Sequence, residues 1–292
     1  MLSASRFNPH LLRYFHSVVE LGSLSAAARR LNCVPSNVSA RLRQLEEQLG
    51  CALLERRGQQ VRLTAAGERL LPYARQLDSL CNAAWRSVHL DTLQGRLRLG
   101  SMETTAATRL PDVLARFHRH APKVAMELET GTSALLIERV LGLELDAALV
   151  AGPFEHPRLL TDEVWQEELR LVLPLDAALP QRGDEVTLIV FPEGCHYRAR
   201  LLNWAAECGL RVAGQQGYGS VEAILGCVAA GLGVGVLPAS LLAAHPRGDQ
   251  VASHRLPVHL GLSPTVLIRR RHAEPHPVLD AWVEVLFGGE GV

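Results

Sequence analysis

The segment from Ser23 to Gly50, SLSAAARRLNCVPSNVSARLRQLEEQLG, leaves this chain few choices. Ala26, Ala27 and Ala28 mark a small-residue helix that stops at Leu31. After a short turn, a second helix starts at Pro35-Ser36. Proline suits that place, because the first turn of a helix has no use for its missing N–H. The second helix carries an apolar stripe of Val38, Leu42, Leu45 and Leu49, and a polar face of Ser36, Asn37, Ser39, Arg41, Arg43 and Gln44. Alanines let two helices cross closely, the stripe anchors the second helix, and its polar N-terminal end stays free. This is the layout of a helix-turn-helix, whose free end enters the DNA major groove. Amphipathic helix pairs also fill all-helical cores, and charge separates the two readings.

Residues 1–65 hold nine arginines, four glutamates and no aspartate or lysine, a net charge of +5. The whole chain balances 30 basic against 30 acidic residues, so residues 66–292 carry −5. A basic end on an acidic body fits a nucleic-acid module joined to something else. Arginine–phosphate contacts would supply its nonspecific affinity. Residues 53–64 then read as two short strands around a turn at Gly58-Gln59. Arg56, Arg57 and Arg62 lie at the tip and along one edge. Such a hairpin beside a recognition helix is a wing that touches the DNA backbone or minor groove. As an ordinary surface hairpin it would leave the same arginines solvated.

At 292 residues the chain is expected to hold two or three domains. No run of about eighteen apolar residues implies a transmembrane helix. The first residues lack a signal-peptide pattern, so a cytoplasmic location is expected. Six cysteines, Cys33, Cys51, Cys81, Cys195, Cys208 and Cys227, are scattered without a C-x-x-C pair or metal-ligand spacing. G-x-S-x-G, H-E-x-x-H and Walker motifs are all missing, so no enzyme and no cofactor is expected.

In residues 65–90, Leu70, Ala74, Leu77, Cys81, Ala84 and Val88 recur at three- and four-residue steps. That is one apolar stripe on a long helix, with Pro72 expected to kink or break it. No nearby segment covers the stripe, so a second copy of the chain is the expected partner. From residue 93 strands and helices alternate. Strands are predicted at 96–100, 124–129, 147–150, 169–173, 187–190, 233–237 and 265–270. Helices are predicted at 109–120, 133–143, 197–208, 220–232 and 278–287. This grammar predicts an α/β sandwich with a largely parallel sheet. Its two similar halves suggest a clamshell, with crossovers near 151–159 and 262–265.

Residues 8–65 resemble the N-terminal domain of LysR-type transcriptional regulators. The resemblance rests on Leu12, Phe15, Gly22-Ser23, Ala27-Ala28, Leu31, Val38-Ser39, Leu42, Leu45-Glu46, Leu49-Gly50, Leu53-Leu54, Arg56, Leu63-Thr64 and Ala66-Gly67. It implies a winged helix-turn-helix over 1–65 and a linker and dimerisation helix over 66–92. A two-lobed α/β effector domain like periplasmic binding proteins follows over 93–292. Lobe I is placed at 93–152 and 265–292, lobe II at 159–262. The implied partners are a pseudo-palindromic operator in double-stranded DNA, a homodimer that assembles further into a homotetramer, and RNA polymerase. Activation is the common mode in the family. Pro35 is a departure, because the family often has Gln there. Proline cannot read a base edge, so Ser36, Asn37, Ser39 and Arg41 must carry more of the readout. Asn can pair with adenine and Arg with guanine.

The cleft of such a clamshell collects strand ends and helix N-termini, which favour anions. Three strand-to-helix turns qualify: Ser101-Met102-Glu103-Thr104-Thr105, Gly131-Thr132-Ser133 and Gly217-Tyr218-Gly219-Ser220-Val221. Phe154, His196 and Arg198 are expected to add contacts. The expected co-inducer is a carboxylic acid, although Glu103 would repel an anion unless turned away or paired. Each hydroxyl could instead be a plain helix cap. Two rivals remain: a redox sensor switching through Cys195 and Cys208, and a solute-binding protein with a degenerate helix-turn-helix.

Overall fold

The computed structural model describes residues 7–57, 60–87, 93–271 and 276–288. It divides into two units between Asp91 and Thr92. In the first, α1 (Leu11–Leu21) ends at Gly22, whose φ of 63° closes the helix. Ser23 then caps α2 (Leu24–Arg30), its side chain accepting from the Ala26 N–H at 3.4 Å. A turn through Asn32, at φ 52°, leads to α3 (Pro35–Leu49). Ala27 and Ala28 are buried where α2 crosses its neighbours, around a core that includes Phe15, Val18, Val38, Leu42 and Leu45.

Glu46 ties α3 to the strand that follows. Its Oε1 accepts from Leu53 N at 2.8 Å and Leu54 N at 3.3 Å. The antiparallel hairpin of β1 (Leu54–Arg57) and β2 (Gln60–Leu63) then leads into α4 (Ala65–Ser87). The expected turn residues Gly58-Gln59 lie outside the described residues. α4 runs through Pro72 unbroken. Its apolar stripe divides. Leu70, Ala74 and Leu77 pack on the core of their own unit, so this half is no open seam. Farther along, Cys81 and Ala84 are exposed, as are Tyr73 and Leu80 on the same helix. Val88 lies outside the described residues.

The second unit has two lobes. Lobe I begins with β3 (Gly95–Ser101), α5 (Glu103–Thr108), α6 (Leu110–His120), β4 (Val124–Thr130), α7 (Ser133–Leu141) and β5 (Ala147–Ala151). The chain leaves it along β6 (Leu159–Pro174). Lobe II holds β7 (Glu185–Val190), α8 (His196–Glu207), β8 (Arg211–Gly217), α9 (Val221–Ala229), β9 (Gly235–Pro238), α10 (Ala239–Ala244) and β10 (Val251–Arg255). The return passes through α11 (Val258–Gly261) and β11 (Leu262–Arg270) to α12 (Pro277–Phe287).

In lobe I the strand order is β6-β11-β5-β3-β4. β5 is buried along its whole length because it separates two cores. Ala147 and Leu149 face α6 and α12, while Ala148 and Val150 face α7. In lobe II, β9 and β10 flank the end of β6, and Val234 bridges Leu188 of β7, which runs parallel to β8.

Two expectations change. The sheet is mixed, since β11 runs antiparallel to both β5 and β6. A chain that leaves a lobe and returns must cross in opposite directions. The first crossing is also not at 151–159. From Leu159 to Glu168, β6 still pairs with β11 of lobe I, and from Leu169 it pairs with β9. The crossing therefore lies inside one strand of 16 residues. Leu262, where β11 begins, sits opposite Glu168.

Candidate DNA interface and effector cleft

The sequence asks α3 to bury its stripe and present its polar face, and it does both. Val38 and Leu45 are fully buried, whereas Ser36, Arg41 and Arg43 are exposed and Asn37 and Ser39 partly so. Arg41 Nη1 donates to Gln44 Oε1 at 3.1 Å, which holds the guanidinium along the helix surface. Pro35 is the first helical residue and is exposed. On the hairpin, Arg62 is exposed opposite Glu55, and Arg56 and Arg57 close β1.

Between the lobes lies a cavity of about 130 Å³. Lobe I lines it with Met102, Glu103 and Thr104 after β3, and with residues 130–133 after β4. Lobe II adds Phe191, Pro192, Cys195 and Tyr197 around the start of α8, and Gly219 before α9. Of the expected effector residues, Glu103, Thr104, Thr132, Ser133 and Gly219 therefore come together.

The others do not line this cavity, for local reasons. Ser101 is buried, with its Oγ donating to the carbonyl of Met102. Thr105 is buried within α5. Phe154 stacks on His156 at 6.4 Å and packs against the α7 side of lobe I. The Nε2 of His196 accepts from Arg200 Nε at 2.9 Å. Arg198 is turned to the carbonyl of Phe191 at 3.3 Å and to Gln215 at 2.8 Å. Ser220 accepts from Ala223 N at 3.4 Å and caps α9. Thr132 also caps a helix, accepting from Leu135 N at 3.5 Å, and Ser133 accepts from Ala151 N at 3.1 Å.

Among the described residues, side-chain hydrogen bonds join the lobes at three places. The Glu103 Oε1 accepts from Val221 N, at the start of α9, at 3.1 Å. The Thr104 and Tyr197 hydroxyls lie 3.4 Å apart, both residues buried. Glu167, on the crossing strand, accepts from Arg109 Nε at 2.8 Å and from Ser240 Oγ at 2.7 Å. Burial pushes the Tyr197 hydroxyl well above the usual tyrosine range, with the Thr104 hydrogen bond pulling the other way. It therefore stays a neutral donor and acceptor. Burial also raises the Cys195 thiol, opposing a reactive thiolate. Burial and then the nearby Arg200 lower the His196 pKa. Met102 and Gly131 lay within the candidate turns, whereas Thr130, Phe191, Pro192 and Tyr197 were missed as cavity walls.

Both units also match known models. Residues 9–68 match the bacterial regulatory helix-turn-helix protein of the lysR family, and residues 90–288 match the LysR substrate binding domain. The chain belongs to the LysR family of transcriptional regulators. LysR-family members regulate transcription and are not enzymes. Among relatives, the HTH-type transcriptional regulator GltR of Bacillus subtilis is 36% identical over 280 residues, covering 94% of this chain and 95% of that protein. The regulator SoxR of an Arthrobacter species is 34% identical over 276 residues, with 94% and 95% covered. The fold of full-length OxyR from Pseudomonas aeruginosa superposes with a TM-score of 0.76 at 23% identity, covering 96% of this chain and 98% of that one. The LysR-family regulator CbnR in complex with its target DNA gives a TM-score of 0.62 at 25% identity, covering 96% and 98%. Among the described residues, no helix of this LysR-family chain is long and apolar enough to cross a membrane.

Proposed function

We propose that this LysR-family regulator reads its operator with the N-terminal half of α3, using Ser36, Asn37, Ser39 and Arg41. Arg43 and the wing residues Arg56, Arg57 and Arg62 hold the phosphates. The observation that carries this reading is the outward polar face of α3 over an apolar stripe whose Val38, Leu42 and Leu45 are buried. The likeness to CbnR on its target DNA supports it. Two copies meet through the exposed residues of α4, among them Tyr73, Leu80 and Cys81. Two reading heads about 34 Å apart then match a pseudo-palindromic operator, and further assembly gives a tetramer that can contact RNA polymerase. A small molecule held by Glu103, Thr104, Thr132, Ser133 and Gly219 changes operator binding or activation. The carboxylic acid expected from sequence meets one acidic and no basic side chain in that cavity.

The test is an operator gel shift on Arg41→Ala. Loss of a base contact is expected to weaken specific binding by about 1–3 kcal/mol. A phosphate role instead lowers the salt slope by about one and weakens all sequences alike. Wild-type affinity with an unchanged salt slope would count against α3 as the reading helix.

A further inference from the structure

We propose that the molecule held in this cavity is a small amine whose ammonium group is received by Glu103; this rests on the effector reading above and specifies its chemistry. Glu103 is the sole charged side chain among those that line the cavity. Its two oxygens are in different situations. One accepts from Val221 N across the cleft, while the other is buried with no hydrogen-bond partner. An ionised carboxylate oxygen can accept more than one hydrogen bond, and leaving it buried and unpaired is costly. The site thus holds an unmet demand for a donor.

An anion finds the opposite situation. Helix N-termini attract carboxylates through free N–H groups; those of α5 and α8 carry no side-chain cap, but those of α7 and α9 are engaged. Thr132 takes Leu135 N, Ser220 takes Ala223 N, and Glu103 itself takes Val221 N. The protein's own carboxylate stands at the α9 end where an anionic ligand would go. An ammonium group brings three N–H donors. A turn of the Glu103 side chain, whose unpaired oxygen is closed to solvent, would let one of them complete that oxygen, with the Thr104 and Thr132 hydroxyls among the remaining lining groups. Met102, Phe191, Pro192 and Tyr197 offer apolar surface to a compact carbon body. Because Glu103 belongs to lobe I and Val221 to lobe II, an amine bound there would favour the arrangement in which one carboxylate serves both.

The full chain is tested against probes of matched skeleton and opposite charge: benzylamine with benzoate, isobutylamine with isobutyrate, and cyclohexylamine with cyclohexanecarboxylate. The readout is the melting temperature, which a ligand specific for the folded state raises. At least one amine is expected to raise it by a few degrees while its carboxylate twin does not. In Glu103→Gln, which keeps the shape and the acceptor for Val221 N, amine affinity is expected to fall about tenfold or more. Carboxylates that match or exceed their amine twins would overturn the amine assignment and leave the effector cleft standing. An amine shift that survives Glu103→Gln, or no shift with any probe, would overturn it too. Comparison of the twins on the wild-type chain decides the matter even if the variant fails to fold. Operator binding by the same preparation reports separately on the regulator reading.

Discussion

Arg109, at the start of α6, donates its Nε to Glu167 on the crossing strand at 2.8 Å, and Ser240 of α10 completes the same carboxylate at 2.7 Å. One buried acid thus holds a side chain from each lobe. Glu167 is only 5% exposed, so its carboxylate oxygens rely on those two donors for hydrogen bonds.

Arg109→Met should therefore leave the acid with Ser240 alone. The expected cost is about 1–3 kcal/mol, that of an under-satisfied buried acceptor. Urea unfolding of the full chain measures it. Arg109→Met with Glu167→Gln together should recover part of the loss, since the buried charge is removed with its partner. A double variant as unstable as the sum of the singles would show that the two residues act independently.

Gly67, near the start of α4, has no room for a side chain. A Cβ there would stand 2.2 Å from the carbonyl oxygen of Leu53 and 2.9 Å from Leu63 Cδ2. Gly67→Ala is expected to destabilise the N-terminal unit by about 1–3 kcal/mol through overpacking. Because Leu53 and Leu63 frame the wing, operator affinity should fall as well. Thermal melting and gel shift check the two effects. Gly214→Ala, on β8 with open space around its Cβ position, serves as the near-neutral control.

The N-terminal unit was legible because its signals are local. A 3.6-residue stripe fixes which face of α3 is buried, Ser23 caps α2, and Gly22 and Gly50 end helices with positive φ. β6 was half legible. Residues 169–173 are apolar except for Arg170, whereas 161–168 include Asp162, Glu163, Gln166, Glu167 and Glu168. Those residues become strand through β11, some hundred positions away. β8 carries Gly214, Gln215 and Gln216 at an exposed edge, so no apolar alternation marks it. The cavity was harder still. His196, Tyr197 and Arg198 are consecutive on α8, where successive side chains point about 100° apart. Sequence picked out His196 and Arg198, and the fold turns Tyr197 into the cleft. That choice depends on how α8 packs on lobe II, which no local pattern encodes.

His16 gives the N-terminal unit a pH dependence of known sign. It is buried on α1, with Glu20 at 3.9 Å and Asp78 of α4 at 4.0 Å. Burial lowers its pKa most, Arg30 and Arg75 act in the same direction, and Asp78 and Glu20 oppose them. The folded chain thus binds the His16 proton less readily than the unfolded chain, whose histidine titrates near pH 6.5. Stability from His16 is present above about that pH and is lost as pH falls through the lower, folded value. The melting temperature should drop between about pH 7.5 and 5.5, and His16→Gln should flatten that slope. His196 is depressed by burial too, so the comparison is between wild type and variant rather than between two pH values alone.

Cys195 and Cys208 bear on whether this regulator senses oxidants by forming a disulfide. Cys195 precedes α8 and Cys208 follows it, with the 12 residues of His196–Glu207 between them. A helix of that length spans about 18 Å. A disulfide needs Cα atoms within about 7 Å. Bridging the pair would require α8 to unwind, and Tyr197, Leu201, Trp204 and Ala205 on that helix are buried in the core of lobe II. Burial also raises the Cys195 pKa, so its thiolate is scarce at neutral pH and increases only above the ordinary thiol range. Brief peroxide treatment of the full chain, followed by mass spectrometry of unreduced peptides, is expected to show no Cys195–Cys208 link. In iodoacetamide labelling at pH 8, the exposed Cys51 and Cys81 should react first and Cys195 about tenfold more slowly or worse. A crosslinked peptide joining the two ends of α8 would mean that the helix opens in solution, and would restore the redox reading.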